Sequence, residues 1–128
     1  IPPSILLRLA AGLDEGDAAH ALARQIEQSE ESREYKRLKA IIDESETSTA
    51  LIKEYHRLQV ALQMAAAART PMPQDEMARF SQLSSLLFAG TETSAFLMAE
   101  MRLQQAMADV FRIITEASGL QMELPGQP

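Results

Sequence analysis

The sequence predicts an all-α protein, an antiparallel helical bundle or hairpin built on two long helices with shorter ones at their flanks. Three observations lead there. Of the 128 residues 46% are hydrophobic but only 5% aromatic, with no Trp and seven Met, a composition suited to closely packed helices rather than to sheets. Gly and Pro fall almost wholly where apolar periodicity lapses, at Pro2, Pro3, Gly12, Gly16, Pro71, Pro73, Gly90, Gly119 and from Pro125 onward, so they punctuate helices. Between them apolar residues recur at steps of three and four.

Taken in order, the pattern predicts a short helix over residues 4–11, a helix over 17–31, a separate or continuing one over 32–43, a long helix over 48–68, another over 73–89 and a long last helix over 93–118. In the middle helix Leu51, Tyr55, Leu58, Leu62 and Ala65 share a face, and the Ala65–Ala68 run offers small side chains for close helix packing. The turn "RTPMP" is short, so the 73–89 helix runs back along the middle one. Its stripe is Met77, Phe80, Leu83, Ser84 and Leu87, and Asp75 and Glu76 sit in its first turn, where carboxylates favour the helix dipole. Gly90 reverses the chain again. In the last helix Phe96, Leu103, Met107, Val110, Ile114 and Ala117 keep the three-and-four spacing, and Leu97, Met101, Ala108 and Phe111 widen it. Glu100 is the polar interruption, of the kind that sets register in a seam at a cost in stability. The middle and last helices are expected to form the core. Residues Phe96, Leu97, Glu100, Met101, Leu103, Met107, Val110, Phe111 and Ile114 are the candidate core and oligomer seam, because one small monomer cannot readily cover so much apolar circumference. A homo-oligomer, with a dimer favoured, is the expected state.

Two stretches read alike. "ETSTALIKEYHRLQVAL" begins at Glu46 and "ETSAFLMAEMRLQQAM" at Glu92; with Ala50 set on Ala95, Arg57 meets Arg102, Leu58 meets Leu103 and Gln59 meets Gln104. The Glu-Thr-Ser triplets need one further residue of offset. A one-residue slip would turn a metal ligand by about 100° around a helix, but it is harmless to a hydroxyl-rich helix start followed by a buried stripe. The repeat is therefore read as capping and burial.

Charge and composition exclude several functions. A formal charge of −6 and a pI near 4.9 argue against DNA binding, which needs a basic face; RNA contact is left open. Without cysteine there is no thiol nucleophile, disulfide framework or cysteine-held cluster. No apolar run reaches membrane-spanning length, and a cytoplasmic protein without a membrane association is expected. His20 and His56 are the two histidines; "DAAH" and "KEYH" do not supply the paired Glu-x-x-His of a di-iron bundle, so both are read as surface or interface residues. Glu27, Glu30, Glu31 and Glu34 have the spacing of a Mg²⁺ site in an all-α nucleotide pyrophosphohydrolase, the alternative enzyme reading. Its required acidic partners, Asp43, Glu44 and Glu46, fall at a helix end. No catalytic residue, metal or cofactor is expected. Arg33, Lys36, Arg37 and Lys39 in "SREYKRLK" form a local basic patch flanking Tyr35 and Leu38, and are the candidate contacts for an acidic partner.

The order of elements resembles the YlbF/YmcA family of small bacterial helical proteins. The likeness runs from about residue 18 to 119 and is carried by Ser-Glu-x-x-x-Glu-Tyr-Lys-Arg at 29–37, Ala-Leu-Ile-x-Glu-Tyr-x-x-Leu-Gln at 50–59, and Ala99-Glu100 followed by Leu103. The resemblance implies a non-enzymatic regulatory protein forming homo- or hetero-oligomers with other regulatory proteins, in some members within a complex that assists ribonuclease Y-dependent RNA processing and thereby competence, sporulation and biofilm development. Some complexes hold iron–sulfur clusters partly through cysteines near the C-terminus, which this chain does not have. On this reading residues 1–16 are an N-terminal extension or a cloning-derived segment, 17–119 the helical domain and 120–128 a flexible tail.

Overall fold

A computed structural model describes residues 3–4 and 15–120, so the helix expected over 4–11 falls almost wholly outside the described residues. Five helices and no strand are found among them: α1 (Glu15–Glu27), α2 (Glu30–Asp43), α3 (Glu46–Ala67), α4 (Gln74–Ala89) and α5 (Thr91–Ser118). Each boundary has a local cause. Ser29 separates α1 from α2: its hydroxyl donates to the Ile26 carbonyl at 2.6 Å and accepts from the Ser32 amide at 3.2 Å, capping α2 ahead of Glu30 and Glu31 in its first turn. The break thus comes two to four residues earlier than the spacing predicted. Ser45 caps α3 in the same way, accepting from the Ser48 amide at 3.1 Å. Pro73 precedes α4, and Gly119 ends α5 in the left-handed region at φ 79, where a side chain would be strained.

The doubled stretch turns out to open its helices by two different devices. Where α3 uses the Ser45 cap, α5 begins at Gly90 with no side-chain cap bond. The Thr93 hydroxyl instead donates back to the Leu87 carbonyl of α4 at 2.5 Å, and Ser94 donates to Thr91 at 3.1 Å. The Thr93 bond ties the α4–α5 corner together, while the Ser94 bond stays within the first turn of α5. A methyl group on Gly90 would come within 2.5 Å of the Thr93 oxygen.

The core gathers Leu38 and Ile42 from α2, Ile52, Tyr55 and Leu58 from α3, Leu83 and Leu87 from α4, and Phe96, Leu97 and Ala99 from α5. Tyr35 of α2 lies against Phe96 with ring centroids 5.4 Å apart, and Tyr55 stacks on Phe80 at 5.2 Å. The expected pairing of the two long helices is corrected by the packing. The most extensive contact of α5 is along α2, not along α3. Short connections place α4 beside both α3 and α5, so α4 takes the side of α5 that a direct pairing with α3 would need, and the Leu38–Ile42 stripe covers another side. Helices α3 and α5 still meet through the shared core and through one polar contact, between His56 and Glu100. The Ala65–Ala68 run does not serve as a packing surface: Ala65 is half-buried and Ala66, Ala67 and Ala68 are exposed.

Lengths decide where the core stops. At 1.5 Å per residue, α5 with 28 residues extends about 42 Å, against about 21 Å for the 14 residues of α2 and about 24 Å for the 16 of α4. Neither neighbour can follow α5 to its end. All three buried residues of α5, Phe96, Leu97 and Ala99, lie in its first third.

Candidate functional site

Beyond Glu100 the apolar stripe of α5 continues without a change of register. Steps of four, three and four keep Leu103, Met107, Val110 and Ile114 within about 60° of one another around the helix, on the face that upstream carries Phe96. What changes is the cover. Leu103, Val110 and Phe111 are half-buried, while Met107 is 44% and Ile114 52% exposed. Met101, placed with the seam on sequence grounds, is 59% exposed and lies about 120° around the helix from Met107, off the stripe. Phe96 and Leu97 belong to the core, at 3% and 2% exposure. Of the nine seam residues, Phe96 and Leu97 thus belong to the core, Leu103, Met107, Val110 and Ile114 form a free stripe with Phe111 at its edge, Met101 lies outside it and Glu100 falls between.

Glu100 stands where the two groups meet. Its carboxylate is 2.7 Å from His56 Nε2 of α3, and only 12% of its side chain is exposed. It is thus satisfied within its own chain, by a contact between residues 44 apart in sequence. The two histidines differ in place: His20 is an exposed residue of α1, whereas His56 bridges two helices.

The four basic residues of α2 are all exposed, but three are already engaged by carboxylates. Arg37 makes a two-pronged pair with Glu34 at 2.6 and 3.1 Å, Lys39 bonds Asp43 at 3.0 Å and Lys36 approaches Glu27 at 3.9 Å. The Arg37 hydrogen bond holds the Glu34 carboxyl below its ordinary range, and the partners Glu34 and Asp43 raise Arg37 and Lys39 in turn. Exposed pairs of this kind are weak and readily exchanged, yet they cancel much of the field expected of the patch. Leu38 faces inward as part of the core and Tyr35 packs against it. Burial, then Glu100, pushes the Tyr35 hydroxyl above its ordinary range.

Glu30, Glu31 and Glu34 line an open cavity of about 310 Å³ together with Ala99 and Arg102 of α5. Glu27 turns instead to Lys36, and Asp43 to Lys39. Among the described residues no three His, Asp or Glu side chains are gathered closely enough to hold a metal ion. No helix among them is long and apolar enough to cross a membrane.

Comparison with known proteins matches residues 16–117 to the family described as control of competence regulator ComK, YlbF/YmcA. The chain belongs to the YlbF/YmcA family. Relatives include UPF0342 protein STH1710 of Symbiobacterium thermophilum, 28% identical over 109 residues that span 85% of this chain and 96% of that one. UPF0342 protein DSY2926 of Desulfitobacterium hafniense is 29% identical over 101 residues, 79% of this chain and 82% of its own. Two solved structures share the fold. A protein of unknown function (DUF964) from Bacillus stearothermophilus superposes with a TM-score of 0.58 at 22% identity, covering 78% of this chain and 91% of its own. Bacillus subtilis RicA, solved in complex with RicF, gives 0.51 at 20% identity, covering 88% and 95%. The family is a regulatory one, linked to competence control.

Proposed function

We propose that this protein is a non-enzymatic regulatory factor that acts by binding other proteins through the free half of α5, with a second copy of itself as the first partner. The observation that carries this reading is the single apolar stripe that buries Phe96 and then continues, through Leu103, Met107, Val110 and Ile114, past the end of its own core. An apolar helix face left open in a small domain is a docking surface of the helix-in-groove or helix-on-helix kind. That the structural neighbour RicA was solved with RicF supports a protein partner. Within the cell the proposed role is assistance to ribonuclease Y-dependent RNA processing, in line with the family's link to competence control.

Size-exclusion chromatography with light scattering tests the interaction. The wild type elutes with a dimer mass, and Met107→Asp/Ile114→Asp gives a monomer with helicity intact. A concentration-independent monomer mass for the wild type contradicts the reading. Affinity capture from the native cell tests the cellular role: the RNA-processing nuclease is recovered with the wild type and lost with the double variant. Its absence from both would confine the proposal to self-association.

A further inference from the structure

The chain has no cysteine and seven methionines, so thioethers are the sulfur groups it offers to an oxidant. Several are open: Met64 is 67%, Met101 59%, Met98 48%, Met107 44% and Met77 43% exposed. Their positions differ more than their exposures do. Met107 alone of these lies on the free stripe of α5, between Leu103 and Val110, while Met98 and Met101 lie well around the helix from it. Met64 and Met77 belong to α3 and α4.

We propose that Met107 is an oxidation site through which a peroxide controls the assembly of this chain, an inference that rests on the interaction reading above. The thioether sulfur attacks the peroxide oxygen; an S–O bond forms as the O–O bond breaks. The sulfur loses two electrons, and the departing oxygen takes them together with the proton and leaves as water or an alcohol. Methionine sulfoxide replaces a flexible apolar group by a polar one. In the middle of an apolar contact its S=O must be desolvated without a matching donor, and association weakens. At the outlying methionines the same change stays in water and costs the contact nothing. The device is also gated by assembly, because a docked stripe covers Met107 and the free chain exposes it. Oxidation at Met107 therefore speeds up on dilution, and a sulfoxide reductase acting on the free chain restores assembly.

The experiment exposes the purified protein to hydrogen peroxide, maps sulfoxide at each methionine by peptide mass spectrometry and follows mass by light scattering. Oxidised wild type shows a dimer Kd raised by about tenfold or more, as expected for a polar group forced into an apolar contact. Met107→Leu, which keeps the apolar volume and cannot be oxidised, stays dimeric through the same treatment, while Met98→Leu/Met101→Leu dissociates as the wild type does. Met107→Gln weakens the dimer without any oxidant. A dimer that persists with Met107 fully converted to sulfoxide overturns the inference and leaves the interaction reading standing, as does dissociation of Met107→Leu under peroxide. A wild type that is monomeric before any oxidant is added overturns both.

Discussion

The two parts of α5 follow one sequence pattern and reach opposite states. From Thr91 to Glu100 the stripe is sealed, with Phe96, Leu97 and Ala99 almost fully buried; from Met101 to Ser118 no residue is fully buried. The chemistry of the two stretches is the same, so hydrophobicity does not set the difference. Helix length does: α2 and α4 are too short to accompany α5 beyond its first half. The comparison teaches that periodicity identifies the face a helix presents, whereas the lengths and connections of its neighbours decide whether that face belongs to the core or to a partner.

Substitutions of one kind in the two parts give the largest contrast. Phe96→Ala empties a site that is 3% exposed and is expected to cost about 3–5 kcal/mol of folding stability. Ile114→Ala, at a position 52% exposed, is expected to change the stability of the dilute chain by less than about 1 kcal/mol. Urea denaturation at low protein concentration measures both. A similar loss at both sites would mean that the far half of α5 is packed within the monomer.

Next in size is the junction. Glu100→Ala removes a mostly buried carboxylate and its bond to His56, and is expected to cost about 1–2 kcal/mol. Glu100→Leu loses less, because the apolar side chain fills the space and His56, 38% exposed, turns to water. Thermal melts of the two variants separate a packing role from a hydrogen-bonding one. If Glu100→Leu unfolds the protein, Glu100 is part of a larger polar network than the single contact to His56.

A smaller effect comes from Tyr35, whose ring lies beside Phe96 and whose hydroxyl is raised above its ordinary range by burial. Raised in the folded state, it favours the protonated phenol. Its contribution to stability is fully present below the unfolded value, near 10.0, and is lost as pH climbs through the folded value. Wild-type melting temperature is therefore expected to fall more steeply above that pH than that of Tyr35→Phe. Parallel curves would place the tyrosine hydroxyl in solvent.

The fold was largely legible in the sequence, and the reasons are specific. Pro71 and Pro73 punctuate the chain by removing backbone options, and Gly119 closes α5 by reaching a left-handed conformation, none of which needs tertiary information. Leu38, Leu58, Leu83 and Phe96 announce their burial by spacing alone. The α1–α2 break was harder because Ser29 and Ser32 both carry a hydroxyl able to cap a helix; the bond from the Ser32 amide decides for Ser29. The His56–Glu100 contact was illegible, since nothing local in a single sequence joins residues 44 apart. The state of the basic patch was legible only in part. Residues Glu34 and Asp43, three and four positions from Arg37 and Lys39, are visible helix neighbours, but the approach of Glu27 to Lys36 depends on the bend at Ser29.

That patch yields the smallest effect expected on folding. Arg33→Glu/Lys36→Glu/Arg37→Glu replaces exposed side chains, so helicity and the melting midpoint stay close to wild type. Partner recovery from lysate then distinguishes two surfaces. Loss of an acidic partner assigns it to α2; unchanged recovery leaves the free half of α5 as the contact.

Amide hydrogen exchange along α5, measured at high and low protein concentration, tests the central claim most directly. Residues 95–100 are expected to be equally protected at both concentrations, and residues 103–115 to be protected at high concentration and to exchange rapidly on dilution. Protection of 103–115 that does not change with concentration, or rapid exchange there at both, would contradict the account.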